Sequence, residues 1–471
     1  MAAERISPEY VRELLERVRR LEKQVAELQG QVADRDRRIA ELEGQLEEAH
    51  RGAKRQAAPF SKGEPKEDPK RPGRKRGEGY GRQAVRPIPA KVDESFHTPC
   101  PRACPCGGRV KPRGEFSLYE VDIPPVQPRV RQFINGYGEC VRCGRRVSAR
   151  HPLQTSNAQG AVGRVHIGPV AIGLAAHLKV VGGMSYEKIQ VVMEQVLGFK
   201  LARSSLCRAM TRLAHKAEPT YQGLIEQIRA SPVVYPDETG WKLAGRNAWL
   251  WAFTNLKLTV YSVRRGRGYA EAASILGERY CGILAPDGWA PYQRFKRATL
   301  QTCNAHLLRR CREILETAAR GAVRFPRAVK KILQHGLALR DRRDARQISK
   351  HGLRVAHGRL KARVDRLLAG HQTNAVNRRF AKHLRRHRNE LFVFLQRPEV
   401  EATNWPAEQA IRPAVVNRKT CAGNRSERGA RTLSVLMSVL RTTQQQGRLV
   451  LEVVAAILRD PIPRPHLSPG R

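Results

Sequence analysis

The chain has 471 residues, more than one ordinary domain holds, and carries 87 Lys and Arg against 43 Asp and Glu, a formal net charge of +44. Such an excess repels itself on compaction unless a polyanion neutralises it, which points to nucleic acid as the partner class. No apolar run approaches the roughly 18 residues of a membrane span, and the N-terminal stretch shows no charged-then-apolar signal pattern, so the composition predicts a soluble intracellular protein and argues against membrane and secreted classes.

The first predicted element is a coiled coil over residues 8–50. Val18, Leu21, Val25, Leu28, Val32, Ile39, Leu42 and Leu46 step by threes and fours, with Arg35 at the one polar seam position. About four heptads of this kind mark a coiled coil, and a wet apolar stripe predicts self-association into a homo-oligomer. Residues 51–90 then turn to Lys, Arg, Gly, Pro and Glu, as in "PKRPGRKRGEGYGR". Nothing there can bury a core, so a basic disordered linker is expected. Arg71, Arg74, Lys75 and Arg76 would lie along a phosphate backbone or in a minor groove.

Ten cysteines are present, five of them between Cys100 and Cys143. In a reducing compartment such a cluster reads as a metal site rather than a disulfide framework. "HTPCPRACPCGGRV" and "GYGECVRCGRRVS" each place a cysteine before glycine in a tight knuckle, with the strand-like "SLYEVDIP" between them. Residues 91–152 are therefore read as a zinc-ribbon-like domain with a structural Zn²⁺. Cys106, Cys140 and Cys143 are its firmer ligands, Cys104 or Cys100 the fourth, with His97 and His151 as substitutes.

Residues 153–230 read as helical. A Gly-Gly break and a helix closed by Gly198 precede "ARSSLCRAMTRLAHKA", which suits a helix-turn-helix whose second helix turns Arg208, Arg212 and Lys216 outward. Next, "VVYPDETGW" ends an apolar run in Asp237 and Glu238. Strand-like "AWLWAFTN" and "LTVYSVRR" follow, then a helix, then "CGILAPDGWAPY", whose strand exits at Asp287. The predicted order β-β-β-α-β-α-β fits a mixed sheet, where neighbouring strand ends bring distant acids together. Glu238 competes with Asp237, but adjacent residues of an extended segment point opposite ways. Cys303 and His306 in "TCNAHLLRR" suggest a metal pair, a packed histidine or a proton shuttle. Trp241, Trp249, Trp251 and Trp289 read as core and rim packing.

Residues 312–395 form a long basic helical stretch. Beyond it, "EATNWPAEQAIRPAVVNRKTCAGNRSERGA" places Glu408 in the first turns of a helix among Arg412, Arg418, Lys419, Arg425 and Arg428. Phosphoryl transfer on nucleic acid needs two Mg²⁺ ions held by carboxylates, with cations on the flanking phosphates.

"YPDETGW", "APDGWAPY", "TCNAHLLR" and "TNWPAEQAIRPAV…RKTCAGNRSERGA" resemble the signature blocks of the DDE transposases of the insertion sequence 66 family, and the likeness covers nearly the whole chain. Trp405 stands where that family's block often has a second Asn. The resemblance implies an α/β catalytic core over 231–445, a ribonuclease H-like mixed sheet with a large helical insertion at about 310–398, followed by a tail at 446–471. It implies a catalytic triad of Asp237, Asp287 and Glu408 holding Mg²⁺ or Mn²⁺. It further implies DNA cleavage at element ends and 3′-OH transfer into target DNA, on double-stranded DNA bearing terminal inverted repeats. Accessory proteins of the same element are an expected further partner, and the bacterial cytoplasm, at the nucleoid, the expected place. A catalytically silent DNA-binding protein and a purely hydrolytic nuclease are the rival readings.

Overall fold

The structure is a computed structural model, which describes residues 8–53, 87–155 except 125, and 166–467 except 289 and 319. It divides into two compact units, 1–120 and 121–471. The first contains α1 (Pro8–Ala53), a helix roughly 70 Å long at about 1.5 Å per residue. Its described seam residues Val18, Leu21, Val25, Leu28 and Val32 are all exposed; the seam beyond them lies outside the described side chains. Arg71, Arg74, Lys75 and Arg76 also lie outside the described residues. Further along this unit, Cys104 N donates to Gly108 O (2.8 Å) and Gly107 N to Cys104 O (2.8 Å), forming the first cysteine turn.

The second unit opens on a small antiparallel hairpin, β1 (Tyr137–Glu139) and β2 (Arg146–Ser148), which carries Cys140 and Cys143 in its turn. Gly144 supplies the positive φ of 68° that the turn requires. Residues 117–124, expected as a strand, form none.

The helical region consists of α2 (Pro169–Val180), α3 (Tyr186–Val191) running into a π-turn at Val192–Val196, and α4 (Arg203–Arg229). After it come β3 (Val233–Leu243), β4 (Arg246–Thr254), β5 (Thr259–Arg264), α5 (Tyr269–Leu276), β6 (Ile283–Leu284) and β7 (Thr299–Leu300). Among the described residues between β6 and β7, where a helix was expected, the chain forms the 3-10 turn Ala290–Arg294 and no α-helix. The sheet order is β5-β4-β3-β6-β7, with β3, β4 and β5 antiparallel and β6 and β7 parallel to β3. The described residues thus form a mixed sheet within an α/β fold.

Both faces of this sheet are covered, which is why its strands read as near-continuous apolar runs. Val233, Tyr235, Ile283 and Ala285 face one core, built with α6 (Asn304–Thr317), α7 (Arg324–Asp344), α8 (Lys350–Ala369), α9 (Ala375–Arg386) and α10 (Val393–Gln396). Val234 and Leu284 face the other, with α2, α4, α11 (Trp405–Cys421), α12 (Glu427–Gln445) and α13 (Val450–Arg459). Each fully buried aliphatic or Phe side chain here, such as Leu250 or Phe253, contributes about 1.5–3 kcal/mol. Residues 446–471, expected as a tail, include α13. Its "VLEVVAAIL" stripe packs on α2 and α4, and Lys216 Nζ donates to its C-terminal carbonyl of Leu458 (2.6 Å) and to Asp460 O (2.9 Å). No described helix is long and apolar enough to cross a membrane.

The outer edge of β5 does not stay open. Ser434, Ser438 and Thr442, one turn apart on α12, accept from the amides of Val263 (3.1 Å), Tyr261 (2.8 Å) and Thr259 (3.1 Å). A helix thereby covers an edge strand that would otherwise present unpaired donors. Ser438→Ala leaves the buried Tyr261 amide without its acceptor, a loss of about 1–3 kcal/mol read as a lower thermal midpoint. An unchanged midpoint would remove this account of the edge.

Candidate catalytic site

Three segments far apart in sequence meet where β6 ends beside β3; Asp237, expected at a strand exit, lies inside β3, which stays paired with β4 as far as Leu243. Ala285 N donates to Val234 O (3.0 Å), so the end of β6 runs beside the first half of β3. Asp237 follows three residues after Val234, and Asp287 two after Ala285. The third segment is the start of α11. Asn404 Nδ2 donates to Pro236 O (2.9 Å), beside Asp237, while Asn404 N donates to Cys303 Sγ (3.1 Å) at the start of α6. Glu401 N reaches the Tyr235 hydroxyl (2.8 Å), and Asn304 N reaches Ala402 O (3.0 Å). These bonds set the first turn of α11, and with it Glu408, against the strand that carries Asp237. Pro406 suits that first turn, where its missing N–H breaks no helical bond.

The far end of α11 is fastened to the same strand. Arg418 Nη1 donates to Thr239 Oγ1 (2.9 Å) and Gly240 O (2.6 Å). After the helix, Asn424 exchanges backbone bonds with Lys242 O (2.8 Å) and Ala244 N (2.9 Å), and takes Trp241 Nε1 on its side chain (2.8 Å). Gly423, at φ 113°, permits this approach, since a Cβ there would run into the Lys242 carbonyl oxygen. The "CAGN" stretch is therefore a backbone clasp on β3.

The charges are consistent with the three acids sharing a region. Burial raises the Asp237 carboxyl to about 7, helped by the negative charges of Glu238, Asp287 and Glu408. Glu408 is half exposed, with His306 Nε2 3.9 Å from its Oε1. The His306 imidazole is pushed up by its hydrogen bond with Cys303 and, further, by Asp287. Glu238 is turned the other way and is already paired. Arg267 reaches its Oε1 through Nε (2.9 Å) and Nη2 (2.8 Å), and the Tyr292 hydroxyl donates to its Oε2 (3.1 Å). Burial raises the Glu238 carboxyl as well, with Asp287 adding to the effect.

Among the described residues no three His, Cys, Asp or Glu side chains are gathered as a metal cage. Asp237, Asp287 and Glu408 nonetheless suit a hard divalent ion by chemistry, being oxygen donors in a neighbourhood already too negative for Asp237 to ionise easily. In the cysteine turns, the backbone amide of Gly108 holds the Cys106 thiol below its usual range, and that of Arg142 does the same for Cys140. Amides aimed at sulfur in this way favour the thiolate that zinc requires. Cys104, like Cys106, is exposed on the first turn, and Cys143 on the second.

The candidate DNA-binding residues divide by surroundings. Arg208 and Arg212 are exposed on one face of α4, and Arg412, Lys419, Arg425 and Arg428 are exposed around the end of α11 and the start of α12. Arg418 is half-buried and spends Nη1 on β3. Lys216, expected to face outward, is drawn into the α13 carbonyls. Sequence reasoning missed Asn404, Arg267 and Tyr292 as parts of the site. Asn404 lay within the quoted "TNWPAEQ" block, whereas nothing local marked the other two.

A profile of the Transposase IS66 family matches residues 164–432, which takes in the helical region, the whole sheet and all three acids. Two proteins of Sinorhizobium fredii (strain NBRC 101917 / NGR234) are similar to this chain. Uncharacterized protein y4jD is 24% identical over 380 residues, 74% of this chain and 72% of y4jD. Uncharacterized protein y4qI is 24% identical over 281 residues, 53% of this chain and 51% of y4qI.

Proposed function

The chain belongs to the IS66 family of transposases, and from that premise we propose that it cuts DNA at the ends of an insertion sequence and joins the freed 3′-OH to target DNA. Asp237 carries this reading: a buried carboxylate crowded by acids from other segments costs stability unless positive charge arrives, and perturbed acids of this kind cluster at functional sites. Two Mg²⁺ or Mn²⁺ ions held by Asp237, Asp287 and Glu408 would activate the attacking oxygen and stabilise the leaving one. The sheet order, with three antiparallel strands followed by two parallel ones, supports a ribonuclease H-like core, with α6–α10 as its helical insertion.

The remaining parts serve DNA and assembly. Arg208 and Arg212 on α4, with α3 before it, suit a helix-turn-helix on the terminal repeats. Arg412 and Lys419 lie on the helix of Glu408 and Arg425 and Arg428 follow it; all four would hold flanking phosphates, joined by Arg71, Arg74, Lys75 and Arg76 from the basic linker. Arg418 would act chiefly by keeping α11 on β3. Cys104, Cys106, Cys140 and Cys143 would hold a structural Zn²⁺. The exposed stripe of α1 would pair protomers so that two ends are processed together, with accessory proteins of the element as further partners at the bacterial nucleoid.

The test is joining of labelled element ends to a supercoiled target with Mg²⁺, comparing wild type with Asp237→Ala. Metal-dependent joined product from wild type alone supports the proposal. Equal joining by the variant refutes the site, and hydrolysis without joining would establish the nuclease reading instead.

A further inference from the structure

The 3-10 turn Ala290–Arg294, which follows Asp287, is gripped on two sides by polar side chains that bind no DNA or metal in the scheme above. On the first side stands Tyr292, fully buried and edge-on to Trp251 with ring centroids 6.4 Å apart. It donates to Glu238 Oε2, whose other oxygen takes Arg267, and Arg267 in turn lies 4.5 Å over the Trp249 ring. On the second side, Gln293 Nε2 donates to Glu390 Oε1 (3.0 Å). Glu390 Oε2 accepts from Thr302 Oγ1 (2.9 Å) and from His387 Nδ1 (2.8 Å), and Thr302 N donates to Glu390 O (2.9 Å). His387 is buried and Glu390 belongs to the short turn Arg388–Glu390 of the helical insertion, whereas Thr302 immediately precedes Cys303.

Packing alone does not require these groups. A buried ion pair is weak evidence for stability, because apolar residues of the same volume often do as well. A fully partnered buried network instead specifies one arrangement. The turn it holds needs such specification. Asp287 stands three residues before that turn, next to Gly288 at φ 101°, so the way the turn is held bears on the backbone that presents its carboxylate. Tyr292 and Gln293 are neighbours held toward opposite partners.

We propose that Glu238 and Glu390 are positioning residues of the catalytic centre. Through Tyr292 and Gln293 they clamp the Ala290–Arg294 turn between β3 and the helical insertion, and so set where Asp287 presents its carboxylate. The inference rests on the functional reading above. It makes the insertion part of the active-site scaffold, since one of the two clamps is Glu390.

The test uses the full chain with Tyr292→Phe and Gln293→Met, which keep shape and remove only the hydrogen bonds. Three readouts are taken: hydrogen exchange of peptides covering 285–295, binding of Mn²⁺ alone by electron paramagnetic resonance, and the Mg²⁺ dependence of end joining. Exchange in that segment should rise about tenfold in each variant while the rest of the chain stays protected. Mn²⁺ affinity and joining rate should each fall about tenfold, as for residues that orient metal ligands, and the double variant should fall less than the product of the two. Unchanged exchange and Mn²⁺ affinity would overturn the clamp, as would faster exchange spread evenly over the chain. If wild type joins no DNA yet exchange and Mn²⁺ binding respond as stated, the clamp stands and the functional reading fails. If joining is lost in Asp287→Asn but intact in both variants, the functional reading stands and the clamp fails.

Discussion

On the proposed function, Asp287→Asn is expected to abolish strand transfer, by on the order of a thousandfold or more, while leaving binding to element ends within a factor of about two. A thousandfold loss corresponds to about 4 kcal/mol of transition-state stabilisation. The substitution keeps the side chain's shape and removes one charge from a centre where Asp237 already feels Asp287. Asn is a poor ligand for a hard divalent ion, so the loss falls on metal-dependent chemistry. End binding, as proposed, would draw on Arg and Lys contacts to phosphate, which the variant does not touch. Parallel measurement of end binding by gel shift and of joining on supercoiled DNA checks both halves. Transfer above a tenth of the wild-type level would remove Asp287 from the centre.

Asp237→Asn raises the stability of the metal-free protein at pH 8 and leaves it nearly unchanged at pH 4. The sign follows from proton binding. Asp237 has its carboxyl at about 7 in the folded chain against an ordinary 3.8, because burial and three neighbouring acids oppose its charge. Between those values the folded state holds a proton that the unfolded state has released. The stability this contributes is full below 3.8 and is lost as pH rises through 7, with a ceiling of about 4 kcal/mol. Glu238, also raised, acts in the same direction. Asn at 237 has no charge to oppose, so the pH-dependent loss shrinks. Thermal melts in a chelator at pH 4, 6 and 8 read the difference directly, and Mg²⁺ should recover part of the loss in wild type only. A variant less stable than wild type at pH 8 would contradict the crowding of charge at this site.

Much of the fold was legible because its signals are local. The run of three antiparallel strands follows from apolar segments joined by short turns, and the acids at 237 and 287 stood out as carboxylates closing apolar runs, although β3 continues past Asp237 to Leu243. Glu408 had no such mark: only its likeness to the family's block, and then the bonds from Asn404 to Pro236 and Cys303, attach it to the site. The Ser434–Ser438–Thr442 ladder is a four-residue repeat plain in "LSVLMSVLRTT", yet its meaning depends on which strand lies beside it. Lys216 looked like an outward cation because helical phase says nothing of a later helix docking over it. The apolar "LVLEVVAAIL" was passed over as tail for the same reason, since its packing surface is supplied by residues more than two hundred positions earlier.

By itself, then, the amino-acid order determined the cationic character, most helix and strand segments and the two acids that follow apolar runs, all of which depend on neighbours within a few residues. The tertiary structure alone decided which segments lie beside Asp237, that Glu238 serves Arg267 and Tyr292, and that Arg418 is committed to β3. Those outcomes are set by strand order and helix docking across 29 residues of chain for Glu238 and Arg267 and 179 for Arg418 and Thr239, and periodicity, which repeats every two to four residues, carries no information at that range.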